Sequence, residues 1–170
     1  MTDIKNRDEE SGVDQLALRE EEVRHGIELL FFAYRDFTAE PDAILEQYGF
    51  GRAHHRVVHF VGRHPQMTVG ELLDILKITK QSLSRVLGQL VEQGLIIQRP
   101  GSQDRRQRLL DLTIKGRELE RQLSAPQRAR VANAYSQAGA QAVRGFRKVL
   151  LGIIADERDR RHFGLCSGDE

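Results

Sequence analysis

The sequence contains one cysteine, Cys166, in 170 residues. A single cysteine excludes an internal disulfide and is typical of a protein that works in a reducing cytosol. No apolar run approaches the ~20 residues that a membrane-spanning helix needs. The first twelve residues, MTDIKNRDEESG, also lack the apolar segment of a secretory signal. We therefore expect a soluble, cytoplasmic protein without a membrane partner.

Motifs of the common enzyme classes are missing as well. The sequence has no glycine-rich phosphate loop and no G-x-S-x-G nucleophile motif. His55 and His59 are four residues apart, so on one helix face they could share a metal ion. The sequence places no carboxylate or cysteine beside this pair. We therefore predict no enzymatic activity, no metal and no cofactor.

Charge is unevenly distributed along the chain, although the formal net charge is only +1. Residues 1–50 carry five Lys or Arg against thirteen Asp or Glu, and residues 51–117 carry twelve against five. Residues 118–170 are close to balanced, with nine against seven. A basic middle segment is typical of a module that binds a polyanion. Charge alone leaves open a chance clustering of solvated side chains.

Apolar periodicity predicts a helix ahead of the basic segment, from about Leu16. Leu29 and Phe32 add apolar surface on a second side, so this helix should contact more than one neighbour. A short helix near Pro41 follows. The main apolar stripe consists of Val23, Ile27, Leu30, Phe31 and Tyr34.

A second helical segment is predicted after the basic segment. Thr113 is a suitable N-cap for a long helix, in which Pro126 predicts a kink or restart. SQAGAQ (136–141) predicts a turn before a last helix, and the terminal residues CSGDE predict a flexible tail.

Capping signals within the basic segment delimit three helices. GRAHHRVVHFVGRHP (51–65) predicts a helix that stops before its proline. TVGELLDIL (68–76) opens with a capping box, Thr68 and Glu71. After a two-residue step, TKQSLSRVLGQLVEQG (79–94) begins at a threonine N-cap and ends at a glycine.

A hairpin follows these helices. The apolar runs LII (95–97) and LLDL (109–112) flank PGSQDRRQR (100–108), whose Pro-Gly start marks a turn. Two helices across a tight turn, followed by a two-stranded wing, make a winged helix-turn-helix. The predicted fold class is therefore mainly α, with a winged helix-turn-helix, a two-stranded β-wing and flanking helices.

The start of the 79–94 helix has the short polar and basic side chains that reach base edges and phosphates in a major groove. An ordinary amphipathic surface helix is the alternative, since it also exposes such residues. The candidate DNA-binding residues on this helix are Thr79, Lys80, Gln81, Ser82, Ser84 and Arg85.

The wing tip carries more positive charge than a turn requires. Arg105 and Arg106 repel each other, and Asp104 cannot neutralise both. Arginine on a thin hairpin can enter a minor groove, whose negative potential favours a guanidinium. The alternative is a solvated tip that serves solubility and protects the sheet edge.

The stretch LLDILKITKQSLSRVLGQLVEQGLIIQRPGSQDRRQRLLDLTIKG closely resembles the core of the MarR family of bacterial transcriptional regulators. The resemblance rests on the recognition helix TKQSLSRVL, its exit LVEQGLIIQR and the wing motif D-x-R at 104–106. The family's LT-x-x-G signature, which opens the next helix, is present at 112–116. The match covers about residues 50–117, and the flanking helices agree in order and length.

The resemblance implies a homodimer on a pseudo-palindromic operator in double-stranded DNA. In the family, the first and the last two helices interlock with those of a partner, and each winged helix reads one half-site. It further implies that Asp104 holds the wing by pairing with an arginine and that Arg106 enters the minor groove. Arg105 fills a variable position. A winged helix that contacts proteins and not DNA is the alternative function.

The domain organisation predicted on this basis has five parts. They are a disordered acidic tail (1–15), N-terminal dimerisation helices (16–50), a winged helix-turn-helix DNA-binding domain (51–113), C-terminal dimerisation helices (114–163) and a flexible tail (164–170).

Seven of the ten aromatic residues lie between residues 31 and 60. Regulators similar to this one often hold a small aromatic effector between the dimer helices and the winged domain. Ordinary core packing is the alternative for these rings. The candidate ligand pocket comprises Phe31, Tyr34, His54 and Phe60, although His54 also suits a polar contact near a domain junction.

Overall fold

The computed structural model describes residues 4–101 and 104–164. Cys166 and most of the predicted C-terminal tail lie outside these residues, as do two positions of the wing tip, 102 and 103. No helix within the described ranges is both long enough and apolar enough to cross a membrane. The elements are α1 (Ile4–Glu46), α2 (Arg52–Arg63), β1 (Met67–Thr68), α3 (Val69–Leu76), α4 (Lys80–Glu92), β2 (Ile96–Pro100), β3 (Arg108–Leu112), α5 (Ile114–Ile153) and α6 (Glu157–Gly164).

Helix α1 begins earlier and ends later than the periodicity predicts. It starts at Ile4, so most of the stretch expected to be a disordered tail (1–15) is helical. It also continues through Pro41 to Glu46, where we expected a separate short helix. Glu, Lys and Arg are good helix formers, so a charged segment can continue a helix without an apolar stripe.

The chain forms two compact units, residues 1–39 and residues 40–170. The first unit is the larger part of α1, and its apolar side chains are exposed over residues 23–34. The second unit holds the hydrophobic core, in which α2 packs against α4, α5 and β3. The fully buried side chains of this core are Leu45, Leu72, Leu83, Leu90, Leu95, Ile96, Leu110, Leu119, Leu123, Val57, Val58 and Val61.

The helix-turn-helix forms as its capping signals predict. The Thr68 hydroxyl accepts a hydrogen bond from the Glu71 amide (3.1 Å), and the Glu71 carboxylate accepts one from the Thr68 amide (2.6 Å). At the other end of α3, Lys77 adopts a left-handed conformation with φ of 52°. Thr79 then caps α4, since its hydroxyl accepts the Ser82 amide at 3.1 Å. The predicted capping box and N-cap are both confirmed.

The wing is part of a three-stranded antiparallel sheet with the order β1-β3-β2. Strands β2 and β3 pair from Ile96 opposite Leu112 to Pro100 opposite Arg108, which confirms the predicted hairpin. The third strand was not predicted: Met67 pairs with Leu110, and Thr68 with its neighbour. Two residues are too few to show the alternation that identifies a strand in a sequence.

The C-terminal half of the chain departs from the prediction at Pro126, where no new helix starts, and at residues 157–164, where a further helix forms. Pro126 lies inside α5 without ending it, whereas Gly139 breaks the helical geometry with φ of 80° and ψ of 164°. The break falls within the predicted turn 136–141. Beyond it, the short helix α6 follows Asp156 and was not predicted.

Three hydrogen bonds of Thr113 join the end of α4, the wing and the start of α5. Its hydroxyl donates to the Gly94 carbonyl (2.7 Å) and accepts the Gly116 amide (3.0 Å), and its own amide donates to the Leu95 carbonyl (3.0 Å). This geometry brings α5 so close that a Cβ on Gly116 would lie 2.0 Å from the Leu95 oxygen. Only glycine fits at this position.

We expect Gly116→Ala to lower the free energy of unfolding by about 1–3 kcal/mol, because the methyl group forces α5 away from Leu95. Chemical denaturation of the purified protein measures the change. Gly88→Ala is the matched control, since a Cβ at Gly88 meets no atom within 4 Å. It should leave stability unchanged or raise it by up to ~1 kcal/mol through helix propensity. Equal stability of the two variants would contradict the steric account.

Candidate nucleic-acid interface

All six candidate residues of α4 are exposed at or near its N-terminal end. The opposite side of this helix is buried through Leu83, Val86, Leu87 and Leu90, which fixes its orientation in the core. Thr79 is committed to the helix cap: its hydroxyl also donates to the Ser82 hydroxyl at 2.9 Å. The start of α4 therefore offers polar and basic side chains on an anchored helix.

The wing tip is closed by hydrogen bonds. The Gly101 amide donates to the Gln107 carbonyl (3.0 Å), and the Gln107 amide donates to the Asp104 carbonyl (3.1 Å). Gly101 is buried there, and a Cβ on it would lie 2.7 Å from the Asp104 carbonyl oxygen. The sequence indicated a turn through its Pro-Gly pair, but it did not indicate the roles of Gly101 and Gln107.

Asp104 holds the wing in a different way from the one expected. One of its carboxylate oxygens accepts the backbone amide of Arg106 at 2.9 Å. The resemblance implied a pair between Asp104 and an arginine side chain. No such ion pair forms in residues 104–164 or 4–101. A short carboxylate two residues ahead of an amide makes this local turn without help from a guanidinium.

The basic side chains at the start of α4 and at the wing tip are exposed. Within the described parts of the chain, Lys80, Arg85, Arg105 and Arg106 form no ion pair, and all four are exposed. Arginines elsewhere on the surface do pair: Arg52 lies 2.8 Å from Asp42, and the other pairs include those of Arg24, Arg121, Arg130 and Arg158. Other exposed cations of the described residues, such as Arg56, Arg128 and Arg144, also form no ion pair, so the candidate interface is distinguished by carrying four such cations at the start of α4 and the wing tip.

His54 has a structural role at the start of α2. Its Nδ1 accepts the Gly51 amide (3.1 Å), its Nε2 lies 2.7 Å from the Gln89 side-chain oxygen, and its ring stacks on Phe50 at 4.4 Å. The side chain is only 9% exposed. This arrangement agrees with the polar junction contact, and it ties α2 to the recognition helix through Gln89.

The pair His55 and His59 lies on α2 as the spacing predicts. Burial lowers the pKa of both imidazoles below the ordinary histidine value, so both are neutral near pH 7. A carboxylate oxygen of Glu120 lies 4.0 Å from the His59 Nδ1. Among the described residues, no group of three or more His, Cys, Asp or Glu side chains is arranged to hold a metal ion.

The remaining residues of the candidate ligand pocket lie on two helices. Phe31 and Tyr34 are on α1, with 70% and 43% of their surface exposed. Phe60 is half-buried on α2, where its ring lies edge-on to His59. His54 and Phe60 are six residues apart on one helix, so they point in directions about 120° apart. The pocket stays a hypothesis.

Comparison with known proteins identifies the family. The sequence profile of the MarR family matches residues 48–107. The HTH-type transcriptional regulator PetP of Rhodobacter capsulatus is 51% identical over 159 residues, which cover 94% of this chain and 95% of PetP.

Solved structures share the fold at low sequence identity. The crystal structure of a MarR family transcription regulator matches with a TM-score of 0.68 at 18% identity, covering 91% of this chain and 99% of the other. Streptococcus pneumoniae FabT in complex with DNA matches with a TM-score of 0.60 at 19% identity, covering 82% and 94%. The identity to PetP over nearly the full length of both chains, together with the matching profile, settles the assignment: this chain belongs to the MarR family of transcriptional regulators, a family that is not enzymatic.

Proposed function

We propose that the protein regulates transcription by binding double-stranded DNA in a sequence-specific way, with α4 in the major groove and the wing in the adjacent minor groove. The observation that carries this proposal is the uncompensated charge of Lys80, Arg85, Arg105 and Arg106 on an anchored helix and a closed wing. Four exposed cations that form no ion pair with the described residues favour a polyanion. A winged helix that contacts only proteins would not need this charge.

The related structures support the same function. FabT, which shares the fold, was crystallised with DNA. The side chains at the start of α4 include Gln81 and Arg85, types that form bidentate contacts with adenine and guanine edges. We therefore assign base reading to Lys80, Gln81, Ser82, Ser84 and Arg85, with Thr79 capping the helix.

We propose further that the protein acts as a homodimer. The helix α1 exposes large apolar side chains, of which Val23 is 62% and Leu29 68% exposed, and α5 does the same at Val149 and Ile153. Several large apolar side chains exposed on one helix favour an interface. Two subunits would place their recognition helices on half-sites about 34 Å apart, one helical turn of DNA.

Regulation by a small aromatic effector remains part of the proposal. Its support is the exposed rings of Phe31 and Tyr34, which could stack with an aromatic ligand. An effector would act by favouring one of two dimer states that differ in the distance between recognition helices. We propose also that the protein works in the cytoplasm of a bacterium, where its DNA target lies.

We expect Arg106→Ala to weaken DNA binding about 5- to 150-fold, because it removes one groove contact worth ~1–3 kcal/mol. The exposed side chain makes no contact that the fold needs, so the thermal midpoint should not change. Titration of a labelled duplex, recovered by selection from random sequence, measures the affinity over a range of salt. Wild-type affinity should fall steeply with salt.

Arg128→Ala is the matched control. Arg128 is exposed on α5, about 22 Å along the helix from Thr113, and it loses the same charge. If Arg106→Ala binds the duplex as tightly as Arg128→Ala, the wing is not part of the interface. Wild-type binding that does not vary with salt would refute the DNA-binding proposal itself.

We expect Asp104→Ala to weaken DNA binding, because the wing loses the acceptor that holds the Arg106 amide. Asp104→Asn should keep most of the affinity, since an amide oxygen can accept the same hydrogen bond. Amide hydrogen exchange at Arg106 reports the wing directly: exchange should accelerate in Asp104→Ala and stay near the wild-type rate in Asp104→Asn. Equal exchange in all three proteins would show that Asp104 does not brace the wing.

A further inference from the structure

Lys77 is a basic residue just before the recognition helix, and its side chain already forms an ion pair within the protein. It lies in the tight turn, two residues before the Thr79 cap of α4. Its ammonium group is 2.8 Å from a carboxylate oxygen of Asp156, a residue 79 positions later in the chain. Lys80 and Arg85, by contrast, have no carboxylate partner among the described residues. Lys77 is thus distinguished from its basic neighbours by this one contact.

Asp156 is fixed in position by contacts within its own segment. It precedes α6, where one of its oxygens accepts the Arg158 amide at 2.9 Å. The Arg158 guanidinium lies 3.3 Å from the other oxygen, the one that binds Lys77. These donors, Lys77 first, hold the pKa of Asp156 well below its ordinary value. The carboxylate therefore stays ionised throughout the neutral range.

The turn is also a place where DNA phosphate comes within reach of a lysine. A recognition helix enters the groove with its N-terminal residues, so the turn just before it passes the phosphate backbone. Two residues span at most ~7 Å, and a lysine side chain is long and flexible. The ammonium group has three donors, but while Asp156 neutralises its charge Lys77 adds no net cation to the contact with the phosphate backbone.

We propose that Asp156 is a built-in competitor of DNA phosphate for Lys77, so that the segment before α6 restrains DNA binding. This inference rests on the proposed DNA binding and adds a regulation of the same site. The segment 154–156 follows α5. A movement of the C-terminal helices that displaces this segment would release Lys77 and so add a cation that can bind DNA.

The test compares Asp156→Asn with Asp159→Asn in the full-length protein. Both variants remove one negative charge from the same segment, but Asp159 does not bond Lys77. Asparagine caps helices about as well as aspartate, so α6 keeps its start in Asp156→Asn, and thermal unfolding checks this. The probes are a duplex recovered by selection and a mixed-sequence duplex of the same length.

We expect Asp156→Asn to bind more tightly than the wild type and with a steeper salt dependence. One new phosphate contact per protomer steepens the plot of log K against log salt by about 0.9 per protomer. The gain over the wild type should therefore grow about 3.5-fold per protomer between ~200 and ~50 mM salt. Asp159→Asn should show a much smaller gain with the wild-type slope.

A second variant, Lys77→Gln, isolates the lysine. Because Asp156 occupies Lys77 in the wild type, Lys77→Gln alone should leave the salt slope unchanged, and Asp156→Asn should no longer steepen it in that background. The competition is refuted if Asp156→Asn behaves like Asp159→Asn, or if it still steepens the slope without Lys77. In either case a salt-dependent wild type would leave the DNA-binding proposal intact, whereas a salt-independent wild type would overturn that proposal first.

Discussion

The hydrogen bonds of Thr113 hold together the three elements on which the candidate interface depends. One threonine binds the carbonyl after α4, the carbonyl at the start of the wing and the amide in the first turn of α5. The close approach of α5 to Leu95 is possible because Gly116 lacks a side chain. Each hydrogen bond contributes only about 1 kcal/mol, but together they fix the geometry of helix, wing and long helix.

This junction lets the interface be both charged and ordered. Exposed cations repel one another, so a flexible loop would separate them. Here the recognition helix is anchored by four buried side chains, and the wing by strand pairing and by the Asp104 turn. Lys80, Arg85, Arg105 and Arg106 are therefore presented from elements that need little further ordering on binding. Because less conformational entropy is lost on binding, more of the electrostatic attraction contributes to the affinity.

The parts of the fold that could be predicted from the sequence are those specified by neighbouring residues. The caps at Thr68, Thr79 and Thr113 each act over three positions, so the helix starts were predicted correctly. The break near Gly139 had a local signal for the same reason. Strand β1 did not, because it consists of two residues whose pairing partners lie some forty positions later.

The candidate functional residues also divide into those that neighbouring residues specify and those that depend on distant partners. The basic side chains of α4 and the wing were identified from residue type and spacing, and the structure shows them to be exposed. The ion pair of Lys77 and Asp156 was not identified from the sequence, since nothing near either residue indicates a partner 79 positions away. The partner of Asp104 was expected to be a guanidinium, whereas the structure shows a backbone amide, which carries no signature in the sequence.

Cleavage of DNA by a tethered reagent tests the central claim most directly. With Cys166 replaced by serine, Gln107→Cys at the exposed wing tip provides a unique attachment point for an iron chelate that generates hydroxyl radicals. The same chelate at Arg128→Cys is the control on α5. Our account predicts strong cleavage from position 107 in the minor groove beside each half-site, and little cleavage from position 128. Equal cleavage from the two positions, or none from position 107 in a protein that still binds the duplex, would contradict it.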